Sequence, residues 1–316
     1  VRILITGVGG FVGPHLVRQL HDHLPDARLW GVDLETETGR LAGFDRLTLM
    51  SCDLLDPDAV HGVVAAARPD VVLHLAAMST VAGSWTSPSR VLTINTTAQL
   101  HLFDALLAAG LSPVTVVASS AEIYGRAPAC EQPLGEEAPL RPVSPYGVSK
   151  AAQDLIAFQY HAAHGLPTIR LRLFNHTGPG RPHHFVVSSF ARQLAEIERG
   201  LREPVLLVGD IAVVRDFCDV RDVARAWQLA ATDGAPGAAY NVCSERPVEL
   251  RDLLQILLRR LAVDVEVRTD PARLRPADIP MLTGTSSRLR ERTGWSAEIA
   301  LERTAADLLD WWRARV

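Results

Sequence analysis

The chain has little cysteine, no long basic block and no long apolar run, and each shortage closes off a class of protein. Its four cysteines, Cys52, Cys130, Cys218 and Cys243, are scattered through 316 residues with no Cys-x-x-Cys pair among them. That pattern reads as free thiols in a reducing cytoplasm. Net charge is −4, and the one local cationic cluster, Arg251 to Arg260, is diluted by Asp252 and reads as a solvated helix face. Nucleic acid is therefore not an expected partner. No apolar run reaches the roughly 18 residues of a membrane span, so no membrane association is expected. The sequence opens on a strand-like run, Val1–Thr6, with no signal-peptide pattern, although a first residue other than methionine leaves room for a trimmed leader. Of the 11 histidines, only His183-His184 are adjacent, and neighbours in sequence seldom converge on one ion, so no metal is expected. Internal repeats and low-complexity tracts are absent.

What is present is an ordinary globular composition, 47% hydrophobic and 22% charged, in a chain long enough for one large or two small domains. Short apolar runs alternate with amphipathic stretches. Val1–Thr6, Arg28–Val32, Leu47–Cys52, Val71–Ala76, Val114–Ser119 and Ile169–Phe174 read as strands; Phe11–Leu24, Pro57–Ala67, Pro88–Ala109 and Tyr146–His164 read as helices. The runs are rich in Val, Ile and Leu with little alternation, as in strands buried on both faces. The alternation predicts an α/β fold, a doubly wound parallel Rossmann sheet, over residues 1–174. After Phe174 the texture turns polar and turn-rich at Thr177–His184. Helices at Val186–Gly200, Val223–Ala231, Leu250–Leu261 and Leu301–Arg315, with strands at Val205–Val208 and Val263–Arg268, predict a smaller C-terminal α/β lobe over 175–316. A segment near 209–243, ending in Tyr240–Cys243, is expected to return to the main sheet.

Thr6-Gly7-Val8-Gly9-Gly10-Phe11-Val12-Gly13 stands where the first strand meets the first helix. Gly7 suits a tight turn, Gly10 lets backbone approach a pyrophosphate, and Gly13 lets helix pack on strand. The helix start, with Phe11 and Val12 in its turn, offers free N–H groups and partial positive charge to the phosphates. Asp33, ending the second strand, suits the ribose hydroxyls and repels a 2′-phosphate, which favours NAD, with NADP kept open by the nearby Arg40. Asp53 and Leu54 lie where an adenine amine would be met, and Leu75, Ala76 and Ala77 leave room beside the cofactor.

Ser144 and Pro145 look like the cap and first residue of a helix that puts Tyr146 and Lys150 four apart on one face. A phenol ionises near pH 10 in isolation, and a neighbouring ammonium and a cationic ring would lower that value toward neutrality. Tyr146 is thus the expected proton carrier, Lys150 its partner on the nicotinamide ribose, and Ser120 a hydrogen-bond donor to the same substrate oxygen. The chemistry is alcohol to ketone, or its reverse. Glu122 is either a second acid/base or a loop carboxylate that binds a sugar hydroxyl, and Ala121 stands where a two-acid elimination would want another acid.

Together these residues resemble the extended short-chain dehydrogenase/reductase family of nucleotide-sugar enzymes. The resemblance runs nearly end to end: the glycine motif, Ser119-Ser120-x-Glu122-x-Tyr124-Gly125, Ser144-Pro145-Tyr146-x-x-Ser149-Lys150 and Arg215-Asp216-Phe217-x-Asp219-Val220-x-Asp222 all match. Ala76-Ala77-x-Ser79-x-Val81-x-x-Ser84-Trp85, Phe174–Gly180 and Leu274–Pro280 are similar to the GDP-mannose branch, and within it to its 4-keto-6-deoxymannose reductases. The resemblance implies a GDP-sugar substrate held by Ser79, Asn175, Arg215 and Arg275. It also implies a homodimer through the helices at Pro88–Ala109 and Tyr146–His164, with Leu100, Leu106, Leu107, Leu155, Ile156 and Phe158 beyond the inner face. Asp33 and Glu122 keep two alternatives open, a redox-neutral 4-epimerase that holds NAD and a 4,6-dehydratase.

Overall fold

The first strand, β1 (Arg2–Thr6), runs into a glycine turn and α1 (Gly13–His23), and this unit repeats with variations across the first half of a computed structural model that describes residues 1–35, 39–274 and 279–316. There follow β2 (Arg28–Asp33), β3 (Leu47–Ser51), α2 (Pro57–Ala67), β4 (Val71–His74), α3 (Val81–Thr86), α4 (Pro88–Ala108), β5 (Val114–Ser120), α5 (Pro145–His164) and β6 (Thr168–Leu173). The second half holds β7 (Asn175–Thr177), α6 (Val186–Glu198), β8 (Val205–Val208), β9 (Val214–Asp219), α7 (Val220–Asp233), β10 (Ala239–Val242), β11 (Pro247–Glu249), α8 (Leu250–Leu258), β12 (Glu266–Thr269), β13 (Met281–Leu282), α9 (Ser287–Thr293) and α10 (Leu301–Arg313).

Seven strands form one sheet in the order β10-β6-β5-β4-β1-β2-β3, every pair parallel. The strand order reverses between β1 and β4, and the carboxyl ends flanking that point frame the crevice where such sheets bind ligands. Both faces are covered, as the unbroken apolar runs require. On one face Leu16, Val17 and Leu20 of α1 pack with Trp227 of α7 and with Ile3, Ile5 and Ile169 of the sheet. On the other, Val60 of α2, Leu102 and Phe103 of α4 and Ala157 of α5 cover Leu4, Val72 and Val117.

Beyond β6 a four-stranded sheet forms, with β9 between β11 and β13 and also paired with β7. A two-stranded parallel sheet joins β8 to β12. Leucine-rich faces of α6, α8 and α10 close over a separate core through Leu194, Leu253, Leu257 and Leu308. The strands β7, β9, β11 and β13 escape the sequence reading because β7 and β9 are polar and β11 and β13 are only three and two residues long. Their polar groups are spent locally: Asp216 of β9 accepts from the Ser244 backbone (2.6 Å) and hydroxyl (2.8 Å), and Asp219 caps α7 by accepting from Arg221 N. Of the segment expected to return, α7 and β10 join the large sheet's side of the molecule, whereas β9 pairs in the second sheet.

The helix faces named for oligomerisation divide. Leu106 is wholly buried against its own sheet, and Leu100, Leu107 and Ile156 pack beside it. Leu155 and Phe158 of α5 are about half exposed, at 55% and 47%, together with Val148. All four cysteines are free thiols, and only Cys130 is exposed. Among the described residues no helix is long and apolar enough to cross a membrane.

Candidate active site

The glycine turn is built as its spacing predicts. Gly7 adopts φ +71°, where a side chain is strained, and a Cβ there would lie 2.7 Å from Ala76 N. Its N–H donates to Val32 O at 2.7 Å, and Gly10 N–H to Gly7 O at 3.1 Å. A Cβ on Gly13 would fall 1.9 Å from Val8 O, so that glycine seats the helix on the strand end and does not itself face the cleft. Helix α1 starts without a side-chain cap and has proline in its first turn, leaving backbone N–H groups free for an anion. A bare backbone cradle with an uncapped helix start fits the pyrophosphate of a dinucleotide. Asp33 ends β2 and braces this loop: Oδ2 accepts from Gly9 N at 2.9 Å and Oδ1 from Leu34 N at 2.8 Å. Arg40 reaches over the same loop and donates to Gly9 O at 2.7 Å.

A cleft of about 1350 Å³ runs from this turn along the strand ends. Gly7, Gly10, Phe11, Val12 and Asp33 line one end, joined by Asp53 and Leu54 after β3 and by Leu75, Ala76 and Ala77 after β4. Ser120, Glu122, Tyr146 and Lys150 line its middle, and Ser79, Asn175 and Arg215 complete it. Seventeen of the residues singled out from sequence thus share one cavity. Arg275 lies outside the described residues.

Local sequence explains the placement of Tyr146, Lys150 and Ser120. Ser144 caps α5 by accepting from Gly147 N at 3.0 Å, and Pro145 opens the helix. Ser149 donates back to Tyr146 O and accepts from Asn95 of α4, whose Oδ1 also takes Met78 N–H at 2.7 Å. This ties α5 to the loop after β4. Lys150, the only lysine in the chain, donates to Ala118 O of β5 at 2.9 Å. Ser120 ends β5, accepts from Glu122 N at 3.2 Å and hydrogen-bonds the Tyr146 phenol.

The electrostatics depart from expectation. Burial pushes the Tyr146 phenol up to about 12, opposed by the Ser120 hydrogen bond and the Arg181 cation and reinforced by Glu122. Burial likewise pushes Lys150 down to about 7. Desolvation outweighs the attraction that the sequence reading relied on, because a deeply buried ammonium is itself half neutral near pH 7. Without ligand the phenol is protonated and poised as an acid. His74, behind this pair, is held neutral with its value driven to about 3, by burial first and Lys150 second.

The Arg215–Asp222 motif separates into roles. Arg215 is buried on the cleft wall and donates to Val214 O at 2.9 Å. The acids are scaffold: Asp216 and Asp219 act as described above, and Asp222 accepts from Glu298 N and Ile299 N. Tyr124 is scaffold as well, donating to Asn241 at 2.7 Å while Arg172 donates to it at 3.1 Å.

Sequence reasoning passed over Arg181 and the segment that carries it. His176 stacks on Phe11 at 5.9 Å, His15 hydrogen-bonds Pro179 O at 2.9 Å, and the Arg181 guanidinium lies 4.7 Å from the Phe11 ring centroid. The segment is thereby strapped to the glycine loop. Its signal is legible afterwards in Gly178-Pro-Gly-Arg181-Pro, a tight turn at a strand's carboxyl end that carries one cation.

A family model described as GDP-mannose 4,6 dehydratase matches residues 4–308. Over its whole length the chain is 37% identical to GDP-6-deoxy-D-mannose reductase of Pseudomonas aeruginosa and covers 98% of that protein. Among solved structures, RMD from Pseudomonas aeruginosa complexed with NADPH superposes with TM-score 0.86 at 34% identity, each chain covered in full. The UDP-glucose 4-epimerase of Thermus thermophilus in complex with NAD gives TM-score 0.89 at 29% identity, again over all of both chains. With the glycine cradle, the Ser120–Tyr146–Lys150 cleft and these matches in agreement, the chain belongs to the GDP-mannose 4,6 dehydratase family of extended short-chain dehydrogenase/reductases.

Proposed function

We propose that the chain is a nucleotide-sugar oxidoreductase that acts at C4 of a GDP-4-keto-6-deoxyhexose, in the manner of the GDP-6-deoxy-D-mannose reductase it resembles. The observation that carries this is the convergence of the glycine turn with Ser120, Tyr146 and Lys150 in one cleft. When bound, a reduced nicotinamide dinucleotide supplies the hydride that reduces the sugar ketone. Tyr146 Oη, protonated because burial holds it near 12, gives its proton to the ketone oxygen. Ser120 Oγ hydrogen-bonds the same oxygen, and the phenolate left behind is supported by Ser120 and by the Arg181 cation. Lys150 holds the nicotinamide ribose; Gly7, Gly10, Phe11, Val12 and the α1 start hold the pyrophosphate; Ser79, Asn175, Arg215 and Arg275 hold the sugar nucleotide. Asp33 favours NAD among the nicotinamide dinucleotides, while the RMD relative was solved with NADPH.

A protonated phenol favours reduction, which needs an acid first; oxidation of an alcohol needs a base first. A second reading, an epimerase that retains NAD, draws on Asp33 and on Glu122, whose charge faces Tyr146. Dinucleotide released from denatured, freshly purified protein separates the two. Empty protein that consumes NADH or NADPH with a GDP-4-keto-6-deoxy sugar supports the reductase, and near-stoichiometric bound NAD supports the epimerase. Tyr146→Phe should lower turnover by about 10²–10⁴ while dinucleotide binding survives; normal turnover would remove Tyr146 from the reaction.

The same reading divides the chain into a Rossmann part, 1–174 with α7 and β10 returning from the segment near 209–243, and a substrate lobe, 175–316. It places the protein in the cytoplasm, in keeping with four free thiols. It takes the exposed face of α5, with Val148, Leu155 and Phe158, as the seam of a homodimer.

A further inference from the structure

Strand β12 is the outer strand of the two-stranded sheet, and among the described residues it pairs with β8 alone. All of its residues, Glu266–Thr269, are exposed. Glu266 N–H donates to Pro204 O and Asp270 N–H to Val208 O, so the even-numbered residues turn their peptide groups toward β8. Val265, Val267 and Thr269 therefore turn theirs away from it, where no partner stands among the described residues. An open edge of this kind is a template for another strand.

The side chains decide which strand fits. On one side Val265 packs against the leucine core of the lobe and Val267 is left 37% exposed. On the other side lie Glu266 and Arg268, with Arg268 Nη2 donating to Glu266 Oε1 at 2.9 Å. Charge guards an edge against foreign strands, yet two opposite charges spaced two residues apart match their own sequence run backwards. Consider a second copy of β12 laid antiparallel, with Val267 facing Val267. Val265 then faces Thr269 of the second copy, and Thr269 faces Val265. All three pairs fall on outward-turned backbone, and each exchanges two N–H···O bonds. Between them, at the closely spaced positions, Glu266 meets Arg268 of the second copy and Arg268 meets Glu266. A slip of two residues would set Glu266 against Glu266 or Arg268 against Arg268, so the charges select the one register that uses every open backbone group.

We propose that β12 is a self-association edge: two copies of the chain pair their β12 strands antiparallel about Val267, joining two two-stranded sheets into one of four strands. The edge belongs to the second half of the chain and shares no residue with the exposed face of α5, so the two surfaces act independently. It is also independent of the reaction proposed above. A strand this short covers little area, so the association is weak and belongs to high protein concentration.

Sedimentation velocity over roughly 5–500 µM gives the readout, with turnover and the unfolding midpoint of each protein alongside. Wild type should double in mass toward the top of that range. Glu266→Arg and Arg268→Glu each set like charges opposite one another and should weaken the association about tenfold or more, enough to abolish the doubling. The two variants mixed in equal amounts regain both attractive pairs and should associate as wild type does. Val267→Pro removes an N–H that the fold leaves outward, and should abolish the doubling while the chain stays folded. Turnover and unfolding midpoints should match wild type throughout, since an exposed ion pair within one strand contributes little. A wild-type mass that does not change with concentration overturns the proposal. So do single charge variants that double as wild type does, or a mixture that associates no better than its components.

Discussion

Lys150 offers a titration that can be followed at a single atom, because no other lysine exists in the chain. Burial moves its ammonium from 10.5 to about 7. At 1.36 kcal/mol per pH unit, that displacement corresponds to a ceiling of about 5 kcal/mol against the charged form in the fold, reduced to the extent that water in the cleft screens it. Between the two values the unfolded chain holds a proton that the folded chain has released. Stability therefore rises with pH from about 7 toward 10.5, and below about 7 the penalty is complete. Removing the amine in Lys150→Met abolishes this slope. The first measurement is the pH titration of ligand-free protein labelled with [¹³Cε]lysine, which gives one side-chain resonance and an expected midpoint near 7. The second is urea unfolding at pH 7 and pH 9, across which wild type should gain up to about 3 kcal/mol relative to Lys150→Met. A resonance midpoint above 10, or parallel stabilities for the two proteins, would refute the argument from burial.

Gly13→Ala forces a Cβ onto Val8 O and should cost about 1–3 kcal/mol in a urea melt, with weaker dinucleotide binding because the turn must shift. Asp154→Asn strands the Arg170 and Arg172 cations in the interior; a loss of about 3–5 kcal/mol by chemical denaturation is expected, and a loss under 1 kcal/mol would show that the pair matters little. Phe158→Glu on the exposed face of α5 should turn a dimer into a monomer in sedimentation velocity, and an unchanged sedimentation coefficient would place the seam elsewhere.

The parts of the fold legible in the sequence are those where local pattern and tertiary demand agree. Pro57–Ala67 is read to the residue because Asp56 caps it and Pro57 opens it. The strands of the large sheet are read to within a residue or two because each is a short run rich in Val, Ile and Leu, β6 keeping Ile169, Leu171 and Leu173 on one face with Arg170 and Arg172 on the other. The strands β7 and β9 are lost in the reading because Asn175, His176, Asp216 and Asp219 look like loop residues until their partners are known. In the site, the glycine turn and the Tyr146–Lys150 step are short-range patterns and survive translation into space. The protonation of Tyr146 is not short-range: it depends on how deeply the fold buries it, and spacing alone cannot report that depth. Arg181 was hidden for a related reason, since its contact with Phe11 is visible only once the glycine turn and the segment after β7 have been placed together.

The outer edge of β6 pairs with β10, sixty-six residues further along by the start of that strand at Ala239, and the pairing has a consequence for synthesis. A nascent chain that has emerged only through Leu173 already holds six parallel strands, yet its newest edge is open. The same is true of the face that Trp227 will cover, where Leu16, Leu20 and Ile169 wait for a helix not yet made. The nucleotide half therefore cannot finish folding first and leave the remainder to follow; its sheet closes only when about three-quarters of the chain has left the ribosome. A truncation after residue 174, natural-looking on the sequence map, should yield an aggregating fragment in place of a small dinucleotide-binding domain.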